Sequence, residues 1–416
     1  MSKNNSDFFK EKNDWSVIKD KLLGCYLSPY FQKVLMTKKP IYYVDCFAGK
    51  GKFEDGNDGS PLIALKVRED CLKRANISFK NGAIQPCFIE SDHAVELQQN
   101  VATFISNYGD ANIISGKYEE TILKCLSDKD NYNVFLYIDP YGIKALNFEL
   151  FKKFKTLGFN SFEMLINFNS FGFFRDACRV MRVNYSNDAA LNSLEDLIEY
   201  DPMTVDTNAQ SEVLLNSIAG GDYWKDIVKD YKAGKFDGYK AEQILSERYK
   251  QQLKKFFSYV LDLPIRLKEG QRPKYRMMHV CNHRDGCFLM AQNMQKRKEE
   301  LFLNIQQDGQ FTIFDMLTGC SSTGEGDLIT IEEIAEKVSQ HLKGYNEIGL
   351  TEYIASFVNE YGLICDFKMI YDSLTILEQK KELQILRNPA HRKNGKKSAF
   401  WEECKDKTIT LRRCKA

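Results

Sequence analysis

The chain has 416 residues, 43% of them hydrophobic and 28% charged, with a formal net charge of +1. This composition excludes a chain that is disordered throughout, and the length predicts two domains. The sequence contains no apolar run long enough to span a bilayer, and polar residues 1–6 lack the apolar core of a signal peptide, so we expect a cytoplasmic protein. The 12 cysteines include no Cys-x-x-Cys pair, which predicts reduced, mostly buried thiols.

Strand and helix patterns alternate along the first half of the chain. An N-terminal amphipathic helix through Trp15 and Tyr26 is expected to end before Pro29. The predicted strands cover residues 41–46, 86–90, 112–114, 134–138 and 163–168, and the predicted helices between them cover 62–72, 92–107, 119–126 and 148–157. Because these strands are almost continuously apolar, they predict a Rossmann-like α/β fold, a parallel sheet with helices on both faces.

The pattern weakens from residue 183 onward. Residues 183–239 contain short helical pieces punctuated by glycine and proline, which predicts a helical insertion. The chain then predicts a long helix at 240–261, a pair of strands within 264–282 and a helix at 287–303. The strand pair suits an antiparallel edge of the sheet. We therefore place a first domain at residues 1–319.

A Ser/Thr/Gly-rich segment at 320–326 predicts a linker to a second domain at residues 327–416. Three helices at 331–342, 350–361 and 367–379, then strands at 383–387 and 408–413, predict a winged helix-turn-helix shape. From Lys380 to Ala416 there are twelve Lys and Arg residues and four acids, a net charge of +8. Such a surface commonly contacts phosphate, so we expect nucleic acid as a partner; a solvated basic tail is the alternative.

The first strand ends in a glycine turn, Asp45-Cys46-Phe47-Ala48-Gly49-Lys50-Gly51. Such a turn lets a ligand approach the backbone at the carboxyl edge of an α/β sheet, where free N–H groups can meet it. A phosphate-binding loop would need Ser or Thr after its lysine, but Lys52 is followed by Phe53. A dinucleotide loop would need Gly or Ala in place of Glu54. Asp45 favours a cationic or hydroxyl-bearing ligand, and S-adenosylmethionine fits; a structural turn without ligand is the alternative.

Two further strand ends carry acids. Glu90 ends the second strand, where a carboxylate can bind both hydroxyls of a ribose. Asp139-Pro140-Tyr141-Gly142 follows the fourth strand, where a carboxylate and a carbonyl can accept hydrogen bonds from an exocyclic amine and an aromatic ring can stack on a base. The alternative is an Asp-Pro turn in which Tyr141 only packs. The predicted cofactor contacts are Asp45, Phe47, Ala48, Gly49, Gly51 and Glu90, and the predicted catalytic residues are Asp139, Pro140 and Tyr141.

Together these motifs resemble the class I methyltransferase fold, and their order resembles the three-Cys-motif partner protein family. The likeness covers about residues 8–300, and the matching pieces are Asp14-Trp15-Ser16, Tyr43 to Gly51, Gly59-Ser60-Pro61-Leu62 and Ile138 to Gly142. The resemblance implies an S-adenosylmethionine-dependent methyltransferase. It also implies a partner protein, similar to radical-SAM-like proteins, that itself carries the three cysteines. With the basic C-terminus, the expected substrate is nucleic acid.

Three features leave alternatives open. Enzymes that methylate base amino groups usually carry Asp/Asn-Pro-Pro-aromatic, and the single Pro140 leaves room for a catalytically inactive subunit that binds nucleic acid or a partner, or for an enzyme acting on protein. Tyr118, after the third strand, can stack on the cofactor's adenine or simply pack. His279, Cys281 and His283 alternate as zinc ligands can, but such residues on strands are more often core or surface residues, so we predict no metal.

Overall fold

The computed structural model describes residues 12, 14–76, 82–108, 111–188, 190–191, 208–265, 275–307 and 329–414. It divides into two compact units, Met1–Asn282 and His283–Ala416. Each unit has its own sheet. Within the described ranges, no helix is both long and apolar enough to cross a membrane.

The first unit is a mixed α/β unit with a Rossmann-like, seven-stranded sheet in the order β3-β2-β1-β4-β5-β7-β6. β1 to β5 run parallel, and β7 runs antiparallel to both of its neighbours. The strands are β1 Ile41–Asp45, β2 Ile84–Glu90, β3 Asn112–Ser115, β4 Asn133–Ile138, β5 Ser161–Phe168, β6 Tyr259–Ile265 and β7 Tyr275–Cys281. β1 and β4 are buried at every position, which explains their continuous apolar sequences.

Helices connect the strands of this sheet. They are α1 Asp14–Leu35, α2 Ser60–Arg74, α3 Ala94–Tyr108, α4 Tyr118–Leu126, α5 Phe148–Thr156, α6 Ser170–Val180, α7 Asn208–Ala219, α8 Trp224–Lys232 and α9 Gly238–Leu253. The helices α7 and α8 fall in the predicted insertion, whose residues 189 and 192–207 lie outside the described part of the chain.

Two helices of this unit differ from their predicted bounds. α1 continues through Pro29 to Leu35, because the turns around the proline bury Tyr26, Tyr30 and Phe31 against the sheet, and this burial outweighs the lost backbone hydrogen bond. α9 ends at Leu253 rather than near residue 261, since residues from Tyr259 onward pair with β7 instead. The apolar spacing of that segment suits either a helix or a strand.

The second unit contains four described helices and a three-stranded antiparallel sheet of order β8-β10-β9. Its elements are α10 Arg284–Gln307, α11 Ile331–Leu342, β8 Glu347–Gly349, α12 Leu350–Tyr361, α13 Phe367–Gln379, β9 Leu383–Asn388 and β10 Thr408–Arg413. The last three helices have the predicted bounds. β8 was not predicted, because three residues are too few to show an alternating pattern.

The helix α10 belongs to the second unit, although the sequence analysis places it in the first domain. Phe288 stacks on Phe367 with ring centroids 5.4 Å apart, and Gln295 donates a hydrogen bond of 2.8 Å to the Cys365 carbonyl. The division between the units therefore falls at residues 282 and 283, earlier than the predicted one. The predicted linker, 320–326, lies outside the described residues.

Candidate functional site

The carboxyl ends of the parallel strands bring the sequence-predicted acids to one edge of the sheet. Asp45, the last residue of β1, pairs in register with Phe88 of β2 and Tyr137 of β4. Glu90 therefore ends its strand beside the β1 turn, and Asp139 follows β4 on the other side. The strand order reverses between β1 and β4, which is the point where open α/β sheets bind their ligands.

The turn after β1 depends on glycine, as the sequence predicts. Gly49 and Gly51 have φ angles of +58° and +76°, in the left-handed region that other residues rarely adopt. A Cβ atom at Gly51 would also lie 2.8 Å from Leu97 Cδ1 of α3. The loop is closed where the Gly59 amide donates a hydrogen bond of 2.9 Å to the Gly51 carbonyl, just before α2 begins.

Four amides of this turn already have acceptors within the protein, and one of them is the Phe47 amide, which donates to Asp45 Oδ1. The Cys46 amide donates to the Tyr137 carbonyl at 2.9 Å, and the Ala48 amide donates to the Ile89 carbonyl at 3.0 Å. The Gly49 amide donates to Glu90 Oε2 at 2.8 Å. These bonds differ from the cluster of free N–H groups that the sequence analysis expects, and a carboxylate at Gly49 opposes an anionic ligand. The turn therefore suits a phosphate group poorly.

Asp45 is a buried carboxylate with an available acceptor atom. Its side chain is 0% exposed, and Oδ1 accepts a hydrogen bond of 3.3 Å from the Phe47 amide. Oδ2 has no hydrogen-bond partner among the residues that the structure describes. Burial raises the pKa of Asp45 to about 7; the nearby Ser60 hydroxyl and the Phe47 amide act to lower it, and the charges of Asp139 and Asp20 raise it further. A cationic or N–H-bearing ligand would satisfy Oδ2.

Glu90 joins the turn to the start of α3. Its Oε1 accepts hydrogen bonds from the Asp92 and His93 amides at 2.9 and 3.1 Å, and its Oε2 accepts the bond from Gly49. Since a carboxylate accepts about four hydrogen bonds, one position remains, on Oε2. As it stands, Glu90 can bind one ribose hydroxyl rather than the two that the sequence analysis expects.

The aromatic residues near the turn pack against each other. The half-buried ring of Phe47 lies 5.3 Å from the ring of Tyr118, measured between centroids. Tyr118 is 1% exposed. Of the two roles considered for Tyr118, the structure therefore favours packing, and Phe47 is the aromatic side chain nearer to the surface.

Asp139 is fully hydrogen-bonded, unlike Asp45. Lys19 Nζ donates to Oδ1 at 2.9 Å and to Oδ2 at 2.7 Å. Asn167 Nδ2 donates to Oδ1 at 2.7 Å, and the Tyr137 hydroxyl donates to Oδ2 at 3.1 Å. All of the roughly four acceptor positions are thus used. A direct contact between this carboxylate and a substrate, which stays a prediction, requires one of these bonds to be exchanged.

Lys19 and Asn167 are site residues that the sequence analysis missed. Lys19 reaches the edge from α1, and its ammonium lies 5.3 Å from the centre of the Tyr275 ring. Beside it, Asp20 pairs with Lys12 at 2.5 Å; burial raises the pKa of Asp20 to about 6, with Lys12 and Lys19 opposing. A polar Asn167 in the apolar run of β5 was the available signal, whereas nothing local marked Lys19.

The residues after Asp139 lead outward from the sheet. Pro140 is buried, while Tyr141 is 59% exposed and Gly142 has a φ angle of +96°. The chain therefore turns sharply and directs an aromatic side chain to the surface next to the acids. That position suits stacking on a base better than packing in a core.

Of the residues considered for zinc, His279 and Cys281 lie in the core and His283 is exposed. His279 Nε2 lies 2.9 Å from Glu163 Oε2, which also accepts a hydrogen bond from the Tyr26 hydroxyl. Cys281 is buried on the same strand. Within the described ranges, no group of three or more His, Cys, Asp or Glu side chains is placed to hold a metal ion.

In the second unit, the basic loop between β9 and β10 forms an ordered hairpin. The Arg392 amide donates to the Lys396 carbonyl at 2.8 Å, and the Ser398 amide donates to the Ala390 carbonyl at 2.9 Å. Every residue from 391 to 397 is exposed, including three lysines and one arginine. The tip therefore presents a concentrated positive charge. We call residues 390–398 the basic hairpin.

The chain following the basic hairpin is fixed to α13. Trp401 stacks on Tyr371 with centroids 4.7 Å apart, and the Arg387 guanidinium lies 4.8 Å from the centre of the Trp401 ring. Arg387 Nε also donates to the Phe400 carbonyl at 3.0 Å. These contacts hold the hairpin at one side of the unit.

No protein-family model matches the chain, and no match was found among curated proteins. The geometry of the described residues therefore carries the argument for function.

Proposed function

We propose that the protein is an S-adenosylmethionine-dependent methyltransferase that acts on nucleic acid. The observation that carries the proposal is the glycine turn after β1, which lies between two carboxylates while four of its amides, those of residues 46–49, are bonded within the protein. This environment favours a ligand with a cation and hydroxyl groups over one with phosphates.

The residues present fit S-adenosylmethionine. The buried Oδ2 of Asp45 would accept a hydrogen bond from its amino group, and the remaining position on Glu90 Oε2 would accept one from a ribose hydroxyl. When bound, this cofactor supplies an electrophilic methyl group on a sulfonium ion. Gly49 would leave space for it beside the backbone, whereas Gly51 gives room to Leu97 of α3.

The topology of the sheet supports the same proposal. Asp45 and Asp139 stand on either side of the point where the strand order reverses. The strand β7, antiparallel to both β5 and β6, gives the sheet the antiparallel edge that the late strand pair predicts. Tyr141, exposed beside Asp139, offers a surface for a base.

The second unit supports nucleic acid as the substrate. Its helices α11 to α13 and the sheet β8-β10-β9 have the element order of a winged helix, in which the basic hairpin would be the wing. Exposed α13 residues Lys368 and Asp372 carry opposite charges, so contacts with the phosphate backbone fit better than reading of base sequence. A three-Cys-motif partner protein is a further proposed contact, resting on the sequence resemblance.

The alternative is a catalytically inactive methyltransferase fold that binds nucleic acid or a partner protein. Two observations favour it. The carboxylate of Asp139 is fully used by hydrogen bonds within the protein, and one proline stands where amino-methylating enzymes usually have two.

Calorimetric titration with S-adenosylmethionine, NAD⁺ and ATP tests the cofactor proposal. We expect binding of S-adenosylmethionine alone, and its loss in Gly49→Leu and Glu90→Ala. Unchanged affinity in both variants would overturn the assignment. Mass analysis of nucleosides after incubation with DNA and RNA then separates the enzyme from the inactive alternative.

Salt titration of DNA and RNA binding tests the second unit. Replacing Lys393, Lys396 and Lys397 with glutamine should flatten the plot of log affinity against log salt by about one unit per lysine that contacts phosphate. A matched control replaces Lys152, Lys153 and Lys155, which are exposed on α5. Equal salt-dependence slopes for the two triple variants would show that the basic hairpin does not contact nucleic acid, and would favour a protein-docking role.

A further inference from the structure

Asn167 holds a buried acceptor atom next to Asp139. The residue is 4% exposed and stands on β5 where the strand reaches the carboxyl edge. Its Nδ2 donates to Asp139 Oδ1 at 2.7 Å. The opposite amide orientation would turn Asn167 Oδ1 toward the carboxylate and repel it, so the orientation is determined by chemistry.

The other end of this amide faces away from Asp139. In the described part of the chain, Asn167 Oδ1 has no hydrogen-bond partner. Buried acceptors without partners are uncommon in folded proteins, and at the ligand edge of a sheet they are candidates for ligand contacts. Asn167 Oδ1 can only accept a hydrogen bond, so it requires an N–H or O–H donor.

Lys19 and Asp139 determine where this acceptor lies. Asp139 is fixed by the four hydrogen bonds described above, two of which come from the buried Lys19 ammonium. Since the carboxylate is saturated, its contribution is to hold the Asn167 amide in one orientation. The Tyr275 ring also lies beside the Lys19 ammonium.

We propose that Asn167 recognises the substrate base, its Oδ1 accepting a hydrogen bond from an exocyclic amino group, and that Lys19 and Asp139 are positioning residues. The inference rests on the proposed function and names the substrate class within it. Bases with an amino group at the recognised position, such as cytosine and adenine, are accepted. Uracil and hypoxanthine carry an oxo group there, which would face Asn167 Oδ1 oxygen to oxygen and leave both acceptors without a donor.

Binding of single-stranded oligonucleotides to the full chain tests this inference. The protein is saturated with S-adenosylhomocysteine, which carries no transferable methyl group, so that binding is measured without turnover. Oligonucleotides of one length, as DNA and as RNA, differ in one central base: cytosine against uracil, or adenine against hypoxanthine. We expect about tenfold or greater preference for the amino-bearing member of at least one pair.

Variants then assign the preference to Asn167. Asn167→Leu should bring the ratio of the two affinities close to one and leave the affinity for S-adenosylhomocysteine unchanged. Asn167→Ser, which removes the amide oxygen but retains a donor toward Asp139, should do the same if the leucine variant does not fold. Preserved preference with weakened cofactor binding would mean that Oδ1 serves the cofactor, and would overturn the inference.

Lys19 provides the test of positioning. Lys19→Met should lower the preference, Lys19→Arg should restore most of it, and Lys21→Met, on an exposed position of the same helix, should leave it unchanged. If Lys19→Met and Lys19→Arg lowered the base preference equally, the positioning role of Lys19 would be contradicted. A wild-type protein that binds S-adenosylhomocysteine without any preference overturns this inference alone, whereas failure to bind that ligand overturns the proposed function as well.

Discussion

Asp45 and Asp139 stand at the ends of neighbouring strands, yet their carboxylates are in opposite states. Asp45 is buried with one long hydrogen bond and an oxygen that lacks a partner within the described residues. Asp139 accepts four hydrogen bonds, two of them from a buried ammonium. An acid at a strand end is therefore not by itself a ligand contact. Its remaining hydrogen-bonding capacity decides whether it binds a ligand or holds the scaffold.

The comparison predicts the largest effect for removal of the scaffold carboxylate. Asp139→Ala leaves the Lys19 ammonium buried without its partner, and loss of one member of a buried ion pair lowers stability by about 3–5 kcal/mol. Urea denaturation measures this loss. Asp128→Ala is the control, because its ion pair with Lys129 is exposed on the aspartate side, and its effect should stay below about 1 kcal/mol. Similar losses in the two variants would contradict the structural role of Asp139.

Removal of the Asp45 charge should raise the stability of the protein, whereas removal of the Asp139 carboxylate should lower it. Folded Asp45 keeps its proton up to a pKa of about 7, whereas in the unfolded chain it ionises near 3.8. The folded state therefore binds more protons between these values, and its stability falls as the pH rises from about 4 to about 7.

Asp45→Asn lacks this titration. Its free energy of unfolding should match that of the wild type near pH 4 and exceed it by about 2–4 kcal/mol at pH 8. Denaturation at both pH values measures the difference, with Asp128→Asn as the control. A variant that is less stable than the wild type at pH 8 would contradict the assignment of Asp45 as an uncompensated buried carboxylate.

The same variant should bind the cofactor less well. Asp45→Asn removes the charge-assisted hydrogen bond to the amino group of S-adenosylmethionine, so we expect an affinity loss of about tenfold or more. Calorimetry at pH 8 measures it. A gain in stability combined with a loss of affinity is the pattern expected of a binding residue. Unchanged affinity would contradict the proposed contact between Asp45 and the cofactor.

The sequence predicted those parts of the site that depend on local chain chemistry. The strand ends at Asp45 and Glu90 and the glycine turn are confirmed, because buried strands and left-handed glycines leave local signals. The predicted bounds of the helices α11 to α13 are confirmed as well. Methyl transfer and nucleic-acid binding stay predictions.

Features that depend on packing between distant segments were not predictable. Lys19 meets Asp139 across 120 residues, and its position depends on how α1 lies on the sheet. The same holds for α10, whose place in the second unit follows from contacts with Phe367 and Cys365 rather than from its own sequence. Saturation of a carboxylate is a property of its partners, so sequence analysis could not separate Asp139 from Asp45.

Proton release on cofactor binding tests the central claim most directly. At pH 6, folded Asp45 is mostly protonated and must ionise to pair with the amino group of S-adenosylmethionine. Calorimetric titrations in two buffers of different ionisation enthalpy give the number of protons released. The account predicts close to one proton per cofactor for the wild type and none for Asp45→Asn. Binding without proton release in the wild type, or equal release in both proteins, would contradict it.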